Sequence, residues 1–403
     1  MKKTVATTLK ERDQGTDLGA QAPPVDISVV MPCLNEEETI GICVEKALEG
    51  IRRTGLPGEV IVSDNGSEDR SIEIAESLGA RVVRQPKRGY GNAYLAGFNA
   101  ARGRYIVMGD SDNTYDFTEI GALIRPLREE GAEYVMGSRF AGTILPGAMP
   151  WLHQYIGNPV LTKILNIMFG LKASDCHTGL RAFTREAYSR MRLRTTGMEF
   201  ASEMVINAAK AKLKVAEVPI TYYPRGGESK LRSFRDGWRH LRFMLMYSPD
   251  HLFLIPGFVL LLIGLVGMAI LLPGPLHFGR RIIDFHFMFV AALLMMLGFQ
   301  VLLTGFYAKA YAYTHRFAPD DRMIQLFYRY FSLEKWILCG VAIFGIGLAF
   351  DVFVLYTWIQ HGFKNLAEVR PAIVALTLMV IGGQLVFSSF LLSILNINSE
   401  ATE

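Results

Sequence analysis

Short apolar runs alternate with amphipathic stretches along the first 250 residues, and long unbroken apolar runs follow. "DISVVM", starting at Asp26, and "GEVIVSD" read as strands, as do "ARVVRQ", "RYIVMGD" and "EYVMGS". Between them "EEETIGICVEKALEGI", "SEDRSIEIAESLG", "GNAYLAGFNAARG" and "FTEIGALIRPLREEG" have helical spacing. Strands of this kind, separated by helices, imply βαβ units on a parallel sheet. Ligands on such sheets bind at the carboxyl ends of the strands. Asn35-Glu36, Asp64-Asn65 and Asp110-Ser111-Asp112 all fall at such ends.

The second part of the chain predicts four transmembrane helices, at about 251–272, 285–307, 336–359 and 371–395. Each contains the ~20 apolar residues that a bilayer crossing needs. The loop 309–335 carries Lys309, Arg316, Arg322, Arg329 and Lys335. The loop 273–284 has Arg280 and Arg281, and 360–370 has Lys364 and Arg370. The more basic loop is expected on the cytoplasmic side, and the front domain and both termini with it. Just ahead of the first span, "LRSFRDGWRHLRFMLMY" (231–247) repeats Leu231, Phe234, Trp238, Leu241 and Leu245 at threes and fours. Arg232, Arg235, Arg239 and Arg242 follow one residue on. As a helix this carries an apolar stripe beside a basic one, the pattern of a helix lying in the headgroup layer.

Length and charge refine this division. The 403 residues and net charge of +4 suggest two or three units. The expected division is a mobile lead-in over 1–24, a catalytic domain over 25–230, a surface helix over 231–249 and a membrane domain over 250–398. Met1-Lys2-Lys3 opens no signal peptide, because no apolar run follows it. Cys33, Cys43, Cys176 and Cys339 are scattered and form no C-x-x-C pair, which argues against a zinc cage.

Chemistry concentrates in "GDSDNTYDF", Gly109 to Phe117. Residues two apart in an extended chain point the same way, so Asp110 and Asp112 can face one ion. Oxygen ligands without His or Cys nearby favour Mg²⁺ or Mn²⁺, whose remaining ligands are normally waters and substrate phosphates. The matching cations are Lys87 and Arg88 in "KRGYGNA", Arg139, Arg181, and Arg225 and Lys230 in "YYPRGGESKL". The helix that opens at "GYGNA" offers its first amides as an anion site.

Taken in order, "VVMPCLNEEETI", "VSDNGSEDRS", "KRGYGNA", "MGDSDN", "MGSRF", "DCHTGLRAF" and "EVPITYYPRGGESKL" resemble the family-2 glycosyltransferases. The branch is that of dolichol-phosphate mannose synthase and the bacterial polyprenyl-phosphate glycosyltransferases. The resemblance covers about 27–247. It implies a Rossmann-like α/β domain of GT-A type, ahead of the all-α membrane domain. It implies that Pro32, Leu34, Glu36 and Asp64 hold the nucleoside, with Lys87 and Gly91 near it. Asp110, Ser111 and Asp112 then form the metal and diphosphate site, with Asp110 and Asp112 as metal ligands. Arg139 and Arg181 are expected at the acceptor lipid phosphate, and Asp175 facing the sugar. Arg225, Ser229 and Lys230 belong to a loop that closes over the diphosphate. Leu34 stands where an aromatic is common, and Thr114 where mannose-transferring members often have Gln.

The implied reaction moves a hexose, with inversion, from a nucleotide-sugar of UDP-glucose or GDP-mannose type to a polyprenyl phosphate. The membrane would be a partner, a homo-oligomer is possible for the spans, and no nucleic acid is expected. A polysaccharide synthase would carry Q-x-x-R-W, which is absent. A dinucleotide-dependent oxidoreductase would carry G-x-G-x-x-G where "MPCLNEEE" stands. A non-catalytic membrane scaffold is the remaining alternative, and the intact acidic pair and basic loop argue against it.

Overall fold

A computed structural model describes residues 25–226, 233–278, 281–314, 322–330, 332–363 and 368–400. The lead-in 1–24, Ser229, Lys230, Leu231, Arg232, Arg280, Arg316 and Lys364 lie outside the described residues, as do the side chains of Phe234 and Arg235. The chain divides into two compact units between Asp236 and Gly237.

The first unit is an α/β sheet domain of GT-A, Rossmann-like type. It runs β1 (Ile27–Cys33), α1 (Ile40–Thr54), β2 (Gly58–Asp64), α2 (Ser71–Ser77), β3 (Arg81–Arg84), α3 (Tyr90–Ala100) and β4 (Tyr105–Met108). It continues with α4 (Ile120–Glu129), β5 (Tyr134–Ile144), α5 (Asn158–Phe169), β6 (Arg181–Thr184), α6 (Arg185–Met191), α7 (Phe200–Lys210) and β7 (Val215–Tyr222). The strand order is β3-β2-β1-β4-β6-β5-β7. β1 is covered on both faces, which is why it reads as a continuous apolar run. α1 buries Ile40, Cys43, Val44, Ala47 and Ile51, the stripe its spacing predicts. On the other face the rings of Tyr94, Phe98, Phe183 and Phe200 pack at 5.1–6.1 Å.

The sheet is not wholly parallel as expected. β6 runs antiparallel to both β4 and β5. After β5 the chain wanders at the carboxyl edge of the sheet through 145–180, so it re-enters from that edge and must run backwards. That excursion delivers residues 174–180 to the ligand-binding edge.

The second unit is helical. After α8 (Ser233–Met246) come α9 (Ile255–Leu271), a two-stranded hairpin of β8 (Leu276–Phe278) and β9 (Arg281–Ile283), α10 (Phe285–Thr314), α11 (Arg322–Tyr330), α12 (Leu333–Gln360) and α13 (Val369–Glu400). Four helices are long and apolar enough to cross a membrane: Asp250–Leu271, Phe285–Thr314, Leu333–Gln360 and Val369–Leu395. α10 runs further than its apolar stretch suggests and takes in Lys309, expected in a loop from its polarity. The lysine is buried there because its ammonium lies 2.6 Å from the Asp250 carboxylate.

Candidate functional site

Loops at the carboxyl ends of β1, β2 and β4 meet at one edge and are tied to each other. The Asn35 amide donates to Ser67 Oγ at 3.0 Å, and the Glu68 amide to Asn35 Oδ1 at 2.8 Å. Asp64 caps its own turn, accepting from the amides of Gly66 and Ser67 at 3.2 and 2.9 Å. Asn65 does more than its place in a motif suggests. Its Nδ2 donates to the carbonyls of Gln85 and Lys87 at 3.0 and 2.8 Å, and its Oδ1 accepts from Gly89 at 2.7 Å. One buried amide thus sets the course of the Lys87 loop, leaving that side chain in solvent.

The helix opening at Gly89 is not an anion site. The Gly91 and Asn92 amides both donate to the Thr196 carbonyl, at 3.0 and 3.3 Å. Gly91 is buried, and a Cβ there would lie 2.2 Å from the Thr195 carbonyl oxygen. Its role is close chain packing rather than ligand contact.

The acid pair sits in a polar pocket. Asp110 Oδ1 accepts from the hydroxyls of Tyr90 and Tyr94, at 2.9 and 3.2 Å. Burial, followed by the Asp112 charge, pushes the Asp110 carboxyl up to about 6, against the pull of the two tyrosines. Asp112 Oδ1 accepts from the Thr114 amide and hydroxyl, at 3.2 and 2.6 Å. Its Oδ2 lies 3.2 Å from the Arg225 guanidinium, which is also 4.0 Å from Glu36. Backbone bonds stitch this neighbourhood to the end of β7: Tyr223 N to Thr114 O at 3.0 Å, and Gly226 N to Asp112 O at 3.3 Å. The Ser111 hydroxyl donates to the Pro32 carbonyl at 2.6 Å, and Thr39 to the Ser111 carbonyl at 2.7 Å. Ser111 is therefore a brace between β1 and the acid loop.

Among the described residues no group of three or more Asp, Glu, His or Cys gathers to hold a metal. The local donor set is the Asp110–Asp112 pair, with oxygen atoms only. It fits a hard cation that completes its shell with water and phosphate, and fits a closed protein cage poorly.

The other two arginines do not stand at an acceptor phosphate, as the motifs imply. Arg181 is fully buried. Its guanidinium donates to the carbonyls of Thr178, Ala201 and Cys176 at 2.9, 2.8 and 3.0 Å, and to the Tyr134 hydroxyl at 2.9 Å. With its donors committed inside the core it does not reach a ligand. Arg139 is also buried, clamped to Asp175 by bonds of 2.6 and 2.9 Å and lying 5.1 Å from the Tyr222 ring centre. Asp175 also accepts from the Arg139 and His177 amides, at 3.1 and 3.2 Å. Burial favours the neutral form of Asp175, yet the adjoining Arg139 charge and bonds hold its carboxyl below the usual range. Asp175 therefore holds a cation of the protein and is no proton acceptor for a substrate.

Comparison with known proteins settles the class. Residues 28–192 match the family model "Glycosyl transferase family 2", and 306–396 match "Glycosyltransferase family 2 C-terminal transmembrane region". The chain is 43% identical over 366 residues to the low-salt glycan biosynthesis hexosyltransferase Agl6 of Haloferax volcanii, covering 91% of this chain and 88% of that one. The chain belongs to glycosyltransferase family 2. The transferase is also 35% identical over 214 residues to a dolichyl-phosphate hexose transferase of Haloferax volcanii, covering 53% of this chain and 89% of that relative. Glucosyl-3-phosphoglycerate synthase of Mycobacterium tuberculosis, solved with phosphoglyceric acid, aligns at 25% identity and a TM-score of 0.45, over 58% of this chain and 85% of that one. With its four candidate spans, the protein is a membrane glycosyltransferase.

Three features of the transferase do not show in its motifs. Tyr90 and Tyr94, four apart on α3, both serve Asp110. Gly179 gives the Asp110 carboxylate its room, since a Cβ there would lie 2.5 Å from Oδ2 and 3.1 Å from the Tyr115 ring. Gly179→Ala is expected to lower transfer at least 10-fold while the catalytic unit melts within a few degrees of wild type; rate and melting curve measured together check this. The third feature is apolar. The run from Trp151 through the wide π-type turn His153–Gly157 into α5 exposes Trp151, Leu152, Tyr155, Ile156 and Val160. Their spacing is legible, but Gly157-Asn158-Pro159 interrupts the run and masks it.

Proposed function

We propose that the transferase moves a hexose from a nucleotide-sugar, of UDP-glucose or GDP-mannose type, to a polyprenyl phosphate at the cytoplasmic face of a membrane. The carrying observation is the exposed apolar face at 151–160 on the catalytic unit itself. A soluble acceptor gives such a face no purpose, whereas a lipid acceptor requires the site to stand at a bilayer. Trp and Tyr are the residues that favour its interfacial zone. The printed name of the dolichyl-phosphate hexose transferase supports the same acceptor class. The basic residues between α10 and α12 support a cytoplasmic catalytic unit, and we take 25–230 as that domain, 231–249 as a surface helix and 250–398 as the membrane domain.

The loops at 32–36 and 64–65 line the position for the nucleoside, with Lys87 in solvent beside it. Asp110 and Asp112 would hold Mg²⁺ or Mn²⁺, which neutralises the leaving diphosphate when bound. Arg225, partly exposed and paired with Asp112, is placed to turn from that carboxylate to the diphosphate. Ser229 and Lys230 belong to the same loop in sequence. A phosphate oxygen of the lipid attacks the sugar's anomeric carbon, and the bond from that carbon to the diphosphate oxygen breaks with its electron pair. The acceptor is already anionic near neutral pH, its second pKa being ~6, so no side-chain base is required. Arg139 and Asp175 act beneath the site by fixing β5 and the Tyr222 ring.

The test uses membranes holding the full chain, polyprenyl phosphate and a panel of labelled nucleotide-sugars, with Mg²⁺, Mn²⁺ or EDTA. Metal-dependent label in the organic phase from one donor is expected. Absence of lipid label from every donor, with folded protein, overturns the reading. Trp151→Glu with Tyr155→Glu is expected to raise the lipid concentration for half-maximal rate at least 10-fold and leave the donor KM unchanged. An unchanged lipid dependence would remove the apolar face from the argument.

A further inference from the structure

The membrane unit repeats itself. "VAALLMMLGFQVLLTGF" (290–306) and "VALTLMVIGGQLVFSSF" (374–390) agree at seven of 17 positions, 84 residues apart. "GFVLLLIGL" (257–265) and "GVAIFGIGL" (340–348) agree at four of nine, 83 residues apart. Apolar helices resemble each other by composition alone, so the contacts decide.

In the first hairpin, Gly257 meets Gly298 and Gly264 meets Ala291. A Cβ on Gly257 would lie 3.0 Å from the Gly298 carbonyl, and one on Gly264 2.5 Å from that of Ala291. In the second, Gly340 meets the Gly382 carbonyl at 2.9 Å and Gly347 that of Ala375 at 2.8 Å. All four residues of each hairpin correspond under the same offsets. The outward faces agree too: Phe258, Ile263, Leu265 and Ile270 are exposed, and so are Val341, Ile346, Leu348 and Phe353. Between the hairpins α10 and α13 run parallel. Tyr307 donates to Ser388, and the Thr314 hydroxyl to the Leu395 carbonyl at 3.0 Å, each pair 81 residues apart. Each central helix therefore lies almost in register against its own counterpart, about a local two-fold along their axes.

The correspondence extends to the helices that precede each hairpin. Arg239, Leu241, Phe243 and Tyr247 of α8 correspond to Arg322, Ile324, Leu326 and Tyr330 of α11. One face of α11 is already packed: Ile324 is buried, and the Phe327 ring lies 5.2 Å from Phe306 and 5.6 Å from Trp336. The other face exposes Met323, Leu326 and Tyr330, with exposed Arg322 and Arg329 beside them. We propose that 239–306 and 322–390 are two copies of one module, a surface helix followed by a two-span hairpin, and that α11 is a second bilayer-surface helix. Its outer stripe enters the acyl boundary while Arg322 and Arg329 meet lipid phosphates.

The test is label depth in the full chain, reconstituted in anionic phospholipid vesicles. Cys33, Cys43 and Cys176 are buried, so Cys339→Ala alone leaves a background suited to single labels. Nitroxides are placed through Leu326→Cys, Tyr330→Cys and Gln325→Cys, and through Phe243→Cys and Arg242→Cys in α8. Labels at 326, 330 and 243 are expected to favour oxygen over a water-soluble nickel chelate at least threefold, and those at 325 and 242 the reverse. Nickel preference at every α11 position, or oxygen preference at every one, overturns the surface helix. Leu265→Cys and Leu348→Cys should report one depth; a difference greater than one helical turn overturns the two-module reading.

Discussion

Asp112→Asn is expected to lower sugar transfer about 10³-fold, ~4 kcal/mol in the barrier, and to leave the catalytic unit folded. The exchange keeps the shape of the side chain. Its Oδ1 still accepts from the Thr114 amide and hydroxyl, which hold the loop. What disappears is the negative charge at Oδ2, and in its place an amide nitrogen faces the Arg225 guanidinium at the former 3.2 Å. Two donors cannot satisfy each other, so Arg225 leaves that position in the resting enzyme as well. A divalent cation then has only Asp110, whose ionisation its burial already opposes. Initial rates of organic-extractable label, with melting curves on the same samples, check this. Activity above a tenth of wild type would remove Asp112 from the reaction.

The largest loss of stability is expected from breaking the Arg139–Asp175 pair on one side. Arg139→Ala leaves a fully buried carboxylate without its cation, a defect that costs ~3–5 kcal/mol. For a unit of this size the melting point should fall by about 10 °C. Arg139→Met with Asp175→Leu should recover most of that, since no charge is then left in the core. The effect depends on pH in a fixed direction. Because the folded-state pKa of Asp175 is depressed, the pair's contribution is present above the ordinary carboxylate pKa of ~3.9 and is lost as pH falls below it. The gap between wild type and Arg139→Ala therefore narrows in acid. A gap constant from pH 7 to pH 3, or a double variant no better than the single one, would contradict this account.

The two-unit plan is legible because its signals are long. Alternation of strands and helices over 26–137 needs only residue polarity, and an unbroken stretch of ~20 apolar residues matches the thickness of a bilayer. β6 leaves no such trace, because "RAFT" is too short for a period and its direction depends on where the preceding excursion ends. The acid pair is readable because spacing by two places carboxylates on one side of an extended chain. The buried arginines are not, since a guanidinium that meets phosphate and one that gathers backbone carbonyls look alike in a motif. Arg181 differs only through Thr178, Ala201, Cys176 and Tyr134, three of which are carbonyl contacts invisible to residue identity. Asn65 is hidden for the same reason, its partners being main-chain atoms 20 to 24 residues away.

The two backbone bonds that join 112–114 to 223–226 bear on how this chain can be recombined with its relatives. They make the last residues beyond β7 part of the acid loop, although more than a hundred positions separate them. A chimera joined at Tyr222 would pair one parent's Asp112 with another parent's Arg225 and import any mismatch directly into the site. A junction after Gly226 keeps both bonds within one parent, and the exchanged part then carries the membrane portion alone.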